Sequence, residues 1–212
     1  MCAQFKVRTA DASAVAQITQ QLDIPAFMAR VMVSRGIDSP EKARVFLHPN
    51  LERDWRNPYE IPGLAEVVDR LEIAVRNCKH ILVFGDFDLD GISATTVMAR
   101  GLQSLGARVT PFIPMRFDEG YGLSEASIER AKTYKPDVIV TVDCGIASKN
   151  EAVLLEKDGI ELLITDHHEP ADLVPENIPV ADPKLDPSCE SSVLAGVGVA
   201  LKVIQALGAR MG

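Results

Sequence analysis

The sequence predicts an α/β fold: a doubly wound, mainly parallel sheet preceded by a small helical N-terminal region. Three observations carry this. From residue 80 onward, apolar runs of strand length alternate with helical stretches. The runs are nearly continuous in Val, Ile and Leu, as expected of parallel strands covered on both faces. The first sixty residues, in contrast, read as short helices joined by loops.

In chain order, "SAVAQITQQL" and "PAFMARVMVSRG" read as helices, the second stopped by Gly36. "SPEKARVFL" reads as a third, with Ser39 as N-cap and Pro40 in its first turn. "HPNLERDWRNPYEIPG", rich in Pro and Asn, reads as a connector into the helix "LAEVVDRLEIAVRNC". These features divide the chain into residues 1–60 and 61–212. Strand "HILVFG" then precedes helix "SATTVMARGLQSLG", and "ARVTPFIP" precedes "SEASIERAKTY". "DVIVTV" precedes "ASKNEAVLLEKDG", and "IELLIT" leads through a loop to "IPVAD". No internal repeat or low-complexity segment interrupts the pattern.

Composition limits the function classes. The chain has 212 residues and a net charge of −8, which argues against a broad basic groove for duplex nucleic acid. Residues 1–60 hold 8 Lys+Arg against 7 Asp+Glu, while residues 61–212 hold 14 against 23, so the acidity lies in the α/β part. No apolar run reaches the roughly 18 residues of a membrane span, and the N-terminus lacks the pattern of a secretory signal. A soluble cytoplasmic protein is expected. Cys2, Cys78, Cys144 and Cys189 are scattered without a CxxC pair, as in a reduced protein without a zinc knuckle.

Ligands of open α/β sheets bind beyond the carboxyl ends of the strands. Three acidic segments lie at such ends: Asp86, Asp88 and Asp90 after "ILVFG", Asp143 after "VIVTV", and Asp166, His167 and His168 after "ELLIT". If the first strand continued, its three aspartates would point the same way. Like charges about 4 Å apart repel by roughly 4 kcal/mol at an effective dielectric near 20, so such crowding calls for a cation or bound protons. Oxygen and imidazole donors suit Mn²⁺, Mg²⁺ or Zn²⁺. Taken singly, Asp143 also reads as a helix N-cap and the His-His pair as a solvated loop. Their conjunction at successive strand ends favours a metal site.

Two further stretches are candidates for substrate contact. "IPMRFDEGYG" places Arg116 and Tyr121 in a loop, where a guanidinium can grip phosphate and an aromatic ring can stack. "LAGVGVALKVIQAL" opens a helix with Gly196 and Gly198 and carries Lys202 one turn in. Its amides either face an anion or simply permit close helix packing, and it is neither a P-loop nor a G-x-G-x-x-G motif.

The segments "VFGDFDLDGISAT", "IPMRFDEGYGLSE", "VTVDCGI", "TDHHEP" and "LAGVGVALK" resemble, in this order, the motifs of the DHH phosphoesterase superfamily. The likeness is to its branch of single-strand-specific exonucleases, covers roughly residues 40–212, and is weaker before residue 40. It implies a doubly wound domain holding two divalent cations, Mn²⁺ or Mg²⁺, that hydrolyses phosphodiester bonds of single-stranded DNA from the 5′ end. Carried over residue by residue, it makes Asp88, Asp90, Asp143 and His167 metal ligands and Asp86 a ligand or its immediate support. Asp143 would bridge both ions, His168 would contact the scissile phosphate or assist the leaving group, and Asp166 would orient a histidine or the metal shell. Arg116 and Tyr121 match a strand-guiding loop. The implied setting is DNA repair and recombination, with a helicase and a single-strand-binding protein as candidate partners.

Leu89 is bulkier than the residue common between the second and third aspartates, and Phe87 lacks the more usual tyrosine hydroxyl. The resemblance also implies a further metal-binding aspartate and two further domains after Gly212, so a fragment with weak or no nuclease activity is expected. The alternatives are a phosphodiesterase for short oligonucleotides, cyclic dinucleotides or pyrophosphate, a catalytically silent DHH scaffold, and a receiver-like or nucleotide-binding module. The last does not account for D-H-H.

Overall fold

A computed structural model describes residues 8–115, 117–120, 122–170 and 172–212. It divides at Arg56 and Asn57 into two compact units.

The first unit holds helices α1 (Ala12–Leu22), α2 (Ala26–Ser34) and α3 (Pro40–Leu47) and the single turn α4 (Leu51–Asp54). Asp11 caps α1 by accepting from the Ala14 amide at 2.8 Å, and Ser39 caps α3 as its sequence position predicts. Ile18, Ala29, Met32 and Ala43 form its small core. The supposed connector thus contains α4, started by the Asn50 side chain, which accepts from the Glu52 and Arg53 amides.

The second unit is the α/β domain. Helix α5 (Leu64–Arg76) leads into β1 (His80–Phe84), α6 (Leu89–Ser104), β2 (Arg108–Phe112), α7 (Glu125–Lys132) and β3 (Val138–Val142). Helix α8 (Lys149–Lys157), β4 (Glu161–Thr165), β5 (Val180–Ala181) and α9 (Gly196–Met211) complete it. The five strands lie in the order β2-β1-β3-β4-β5, and every pairing is parallel. Pro111, which has no amide to donate, stands in edge strand β2, where a missing donor is tolerated.

Side-chain alternation sorts two apolar layers. Ile81, Val83, Val138, Val140, Val142 and Leu163 pack with residues of α5, α6 and α9. Leu82, Phe84, Ile139, Leu162 and Ile164 pack on the other face with residues of α7 and α8. Continuous apolar strands therefore reflect helices on both sides, as the sequence predicts. Strand order reverses between β1 and β3, so the connections leaving these two strands diverge and open a crevice at their carboxyl ends.

Helix α6 begins at Leu89, four residues before the predicted "SATTVMARGLQSLG". The Asp88 side chain accepts from the Gly91 amide at 2.9 Å and caps the helix. This corrects the expectation that Asp86, Asp88 and Asp90 align along an extended strand: β1 ends at Phe84, Asp88 is the N-cap, and Asp90 lies in the first helical turn. Gly91 allows the turn, because a Cβ there would stand 2.5 Å from the Asp86 carbonyl oxygen.

Candidate metal centre

The crevice gathers side chains from three strand ends. Asp86, Asp88 and Asp143 offer donor atoms within 4.8 Å of one another, and so do Asp143, His167 and His168. Asp143 belongs to both groups. Its amide donates to the Thr165 carbonyl at 3.1 Å, one step past the paired strands, and its backbone then turns through the left-handed region at φ 61°. Asp adopts that region more readily than most residues, and strained backbone concentrates at functional sites.

Asp143 is only 2% exposed. Its Oδ1 atom lies 3.0 Å from His167 Nε2, yet it is buried without a hydrogen-bond partner. Two donors facing each other without a hydrogen bond between them fit a shared cation, and the carboxylate and imidazole chemistry suits Mn²⁺ or Mg²⁺. Burial, with Asp90 and Asp88 nearby, raises the Asp143 pKa to about 7. Burial and the neighbouring His168 lower that of His167, which favours the neutral, metal-binding imidazole.

Asp90 lies at the junction of two helices. Its Oδ2 atom is 3.5 Å from His167 Nε2 and accepts from the Gly196 amide at 2.8 Å, while Oδ1 accepts from the Val197 amide at 2.8 Å. The start of α9 thus binds a carboxylate of its own chain, as helix N-termini favour. Asp166 is fully buried and works from behind. Its Oδ2 atom accepts from the Ile146 amide, and its Oδ1 atom from the His167 amide and His168 Nδ1, the last at 2.7 Å. Burial pushes the Asp166 pKa up, but the His168 bond and these amides outweigh it and hold the group below its ordinary value. The same bond raises the pKa of His168. With Nδ1 held by Asp166, Nε2 is the ring nitrogen left to His168 as a donor, the arrangement by which a carboxylate orients a metal-binding histidine.

The structure therefore brings together Asp86, Asp88, Asp90, Asp143, Asp166, His167 and His168. It groups His168 with possible cation donors, whereas the resemblance gave it a phosphate contact. The anion-binding expectation for the α9 start is changed: the Gly196 amide serves Asp90, and the Gly198 amide donates to the Ala195 carbonyl. Gly196 also makes close packing possible, since a Cβ there would fall 2.6 Å from Asp143 Cβ. Lys202 is 2% exposed, because α9 is covered around most of its circumference. Arg116 and Tyr121 lie outside the described residues. Leu89 is 83% exposed, so its extra bulk points into open space.

Sequence reasoning missed Asp182. It follows β5 as the other acids follow their strands, and that recurrence was the available signal. It is fully buried with Oδ2 unpartnered, and burial raises its pKa to about 6.

Fold and site define a parallel α/β protein with a carboxylate and imidazole centre suited to divalent cations. Within that class, the chain belongs to the DHH family: the DHH family N-terminal domain matches residues 80–211. The chain is similar to the single-stranded-DNA-specific exonuclease RecJ of Bacillus subtilis, with 39% identity over 206 residues, covering 96% of this chain and 26% of that protein. It is 40% identical over 179 residues to RecJ of Thermus thermophilus, covering 82% of this chain and 26% of that one. A crystal structure of exonuclease RecJ bound to manganese matches with a TM-score of 0.66 at 40% identity, over 72% of this chain and 39% of that one. RecJ in complex with Mn²⁺ from Thermus thermophilus matches with a TM-score of 0.74 at 31% identity, over 97% and 28%. This chain spans about a quarter of the length of the two curated relatives, as their 26% coverage shows.

Proposed function

We propose that this chain is the metal-binding part of a single-stranded-DNA-specific 5′-to-3′ exonuclease that hydrolyses phosphodiester bonds with two divalent cations, Mn²⁺ or Mg²⁺. The setting would be cytoplasmic DNA repair and recombination. The observation that carries the reading is the pair of three-donor groups sharing Asp143. RecJ relatives at 39% and 40% identity supply the substrate class.

Asp86, Asp88 and Asp143 would hold one ion, and Asp143, His167 and His168 the other, with Asp90 supporting His167. When bound, such a pair of ions supplies an activated water and offsets charge on the attacked phosphate. The chain's own residues contribute position. Asp166 fixes both the ring and the amide of His168, Asp90 ties α6 to α9, and Gly196 lets α9 approach Asp143. An acidic site of this kind need not repel DNA, because the cations reverse its local charge. The division at residues 60 and 61 would separate a helical accessory region from this catalytic part.

The test is calorimetric titration of Mn²⁺ into the metal-stripped chain, beside cleavage of 5′-labelled single-stranded DNA. Mn²⁺ binding is expected, with cleavage weaker than that of a full-length relative. Absence of Mn²⁺ binding would overturn the reading.

A further inference from the structure

A cavity of about 390 Å³ opens beside the metal centre, within the roughly 300–1,000 Å³ typical of small-ligand sites. His168 lines it and also belongs to the group with Asp143 and His167. A ligand with a phosphate at those donors would therefore have its adjoining group next to this cavity. The walls are of two kinds. Leu123, Ile146 and Ala147 supply apolar surface, while Glu151 and Glu169 supply carboxylate acceptors, Glu169 with Lys184 Nζ 3.3 Å away. Acidic lining disfavours a second phosphate. Apolar walls with hydrogen-bond acceptors suit a flat, neutral group that carries donors, and nucleobases have this character.

We infer that the cavity bounded by Leu123, Ile146, Ala147, Glu151, His168 and Glu169 receives the nucleobase attached to the phosphate held at the metal centre. This deepens the proposed function and rests on it for the phosphate position. Apolar contact adds affinity for any base, while the carboxylate acceptors favour bases that carry amino donors. The pocket is largely built in advance: Ile146 is fixed through its amide to Asp166, and Leu123 and Ile146 belong to the core of that sheet face.

The experiment compares deoxyadenosine monophosphate with deoxyribose 5-phosphate, titrated into the chain with Mg²⁺ and followed by amide NMR shifts. The nucleotide is expected to bind at least tenfold more tightly and to shift the amides of Ile146, Ala147 and Ser148. Ala147→Trp, a substitution at an exposed position, should fill the cavity and abolish that preference while leaving Mn²⁺ affinity within about twofold. Equal binding of the two probes, or a preference that survives Ala147→Trp, overturns the inference. If Mn²⁺ fails to bind but the nucleotide still shifts those amides, the metal reading falls and the pocket stands. If Mn²⁺ binds and the probes bind alike, the pocket falls and the metal reading stands.

Discussion

The two ends of the parallel sheet treat charge in opposite ways. At the amino end a cavity of about 560 Å³ is lined by Lys79, Lys132, Lys135, Asp137 and Asp158, and most of these charges have partners. Lys79 and Arg70 meet Glu161, Lys132 meets Glu129 and Asp158, and Asp137 accepts from the His80 amide at 2.7 Å. The His80 ring is engaged at both nitrogens, by the Lys135 carbonyl and the Thr110 hydroxyl. At the carboxyl end the smaller cavity is lined by Asp166 and His168, and the carboxylates of the crevice, Asp88, Asp90, Asp143 and Asp166, meet amides and imidazoles. Cavity size thus does not separate a functional end from a structural one. Carboxylates concentrated around shared donor positions do, because an acidic crevice is stable only with protons or cations in it.

Substitutions at each end should break this contrast in opposite directions. The largest effect is expected from Asp143→Ala, which should weaken Mn²⁺ binding at least tenfold in calorimetry. Unchanged affinity would remove Asp143 from the centre. Next, Gly196→Ala should cost about 1–3 kcal/mol in denaturant unfolding, by forcing α9 away from Asp143 and Asp90. Wild-type stability in that variant would mean that the close approach is not needed.

A pH series tests the electrostatics at smaller scale. The folded Asp143 pKa, about 7, lies above the unfolded value near 3.8, so the metal-free native state holds a proton that the unfolded chain has lost. This contribution favours the folded state below about 4 and is lost as pH rises toward 7. Asp143→Asn should therefore gain thermal stability over wild type across that window, and the gain should level off above it. A gain that is constant with pH would contradict the assignment. The smallest effect is expected at the amino end. Glu161→Gln removes two partly exposed ion pairs, so it should cost less than about 1 kcal/mol and leave Mn²⁺ affinity unchanged.

Much of this contrast is legible in the sequence. Period and composition reveal the strands, and the punctuation of "VFGDFDLDG", "VTVDCG" and "TDHHE" marks their carboxyl ends as acidic. Ser39 and Pro40 announce a helix start that the structure contains. The start of α6 was less legible, because Asp88 serves as a cap within a segment whose alternation also fits a strand. The burial of Lys202 was not legible, because a helix covered on most sides buries even a charged residue, and one helix's sequence does not state how much of it is covered.

The sequence by itself determined most of the elements, that the strands pair in parallel, and that acids and histidines follow the strands, because these depend on local periodicity and chain-order rules. Only the tertiary structure decided that Asp143 is shared by two donor groups, that Asp166 holds His168, and that Asp90 occupies the amides opening α9. Those relations join residues up to 107 positions apart. They depend on strand order and on angstrom-scale approach, for which no local pattern in the chain carries a signal.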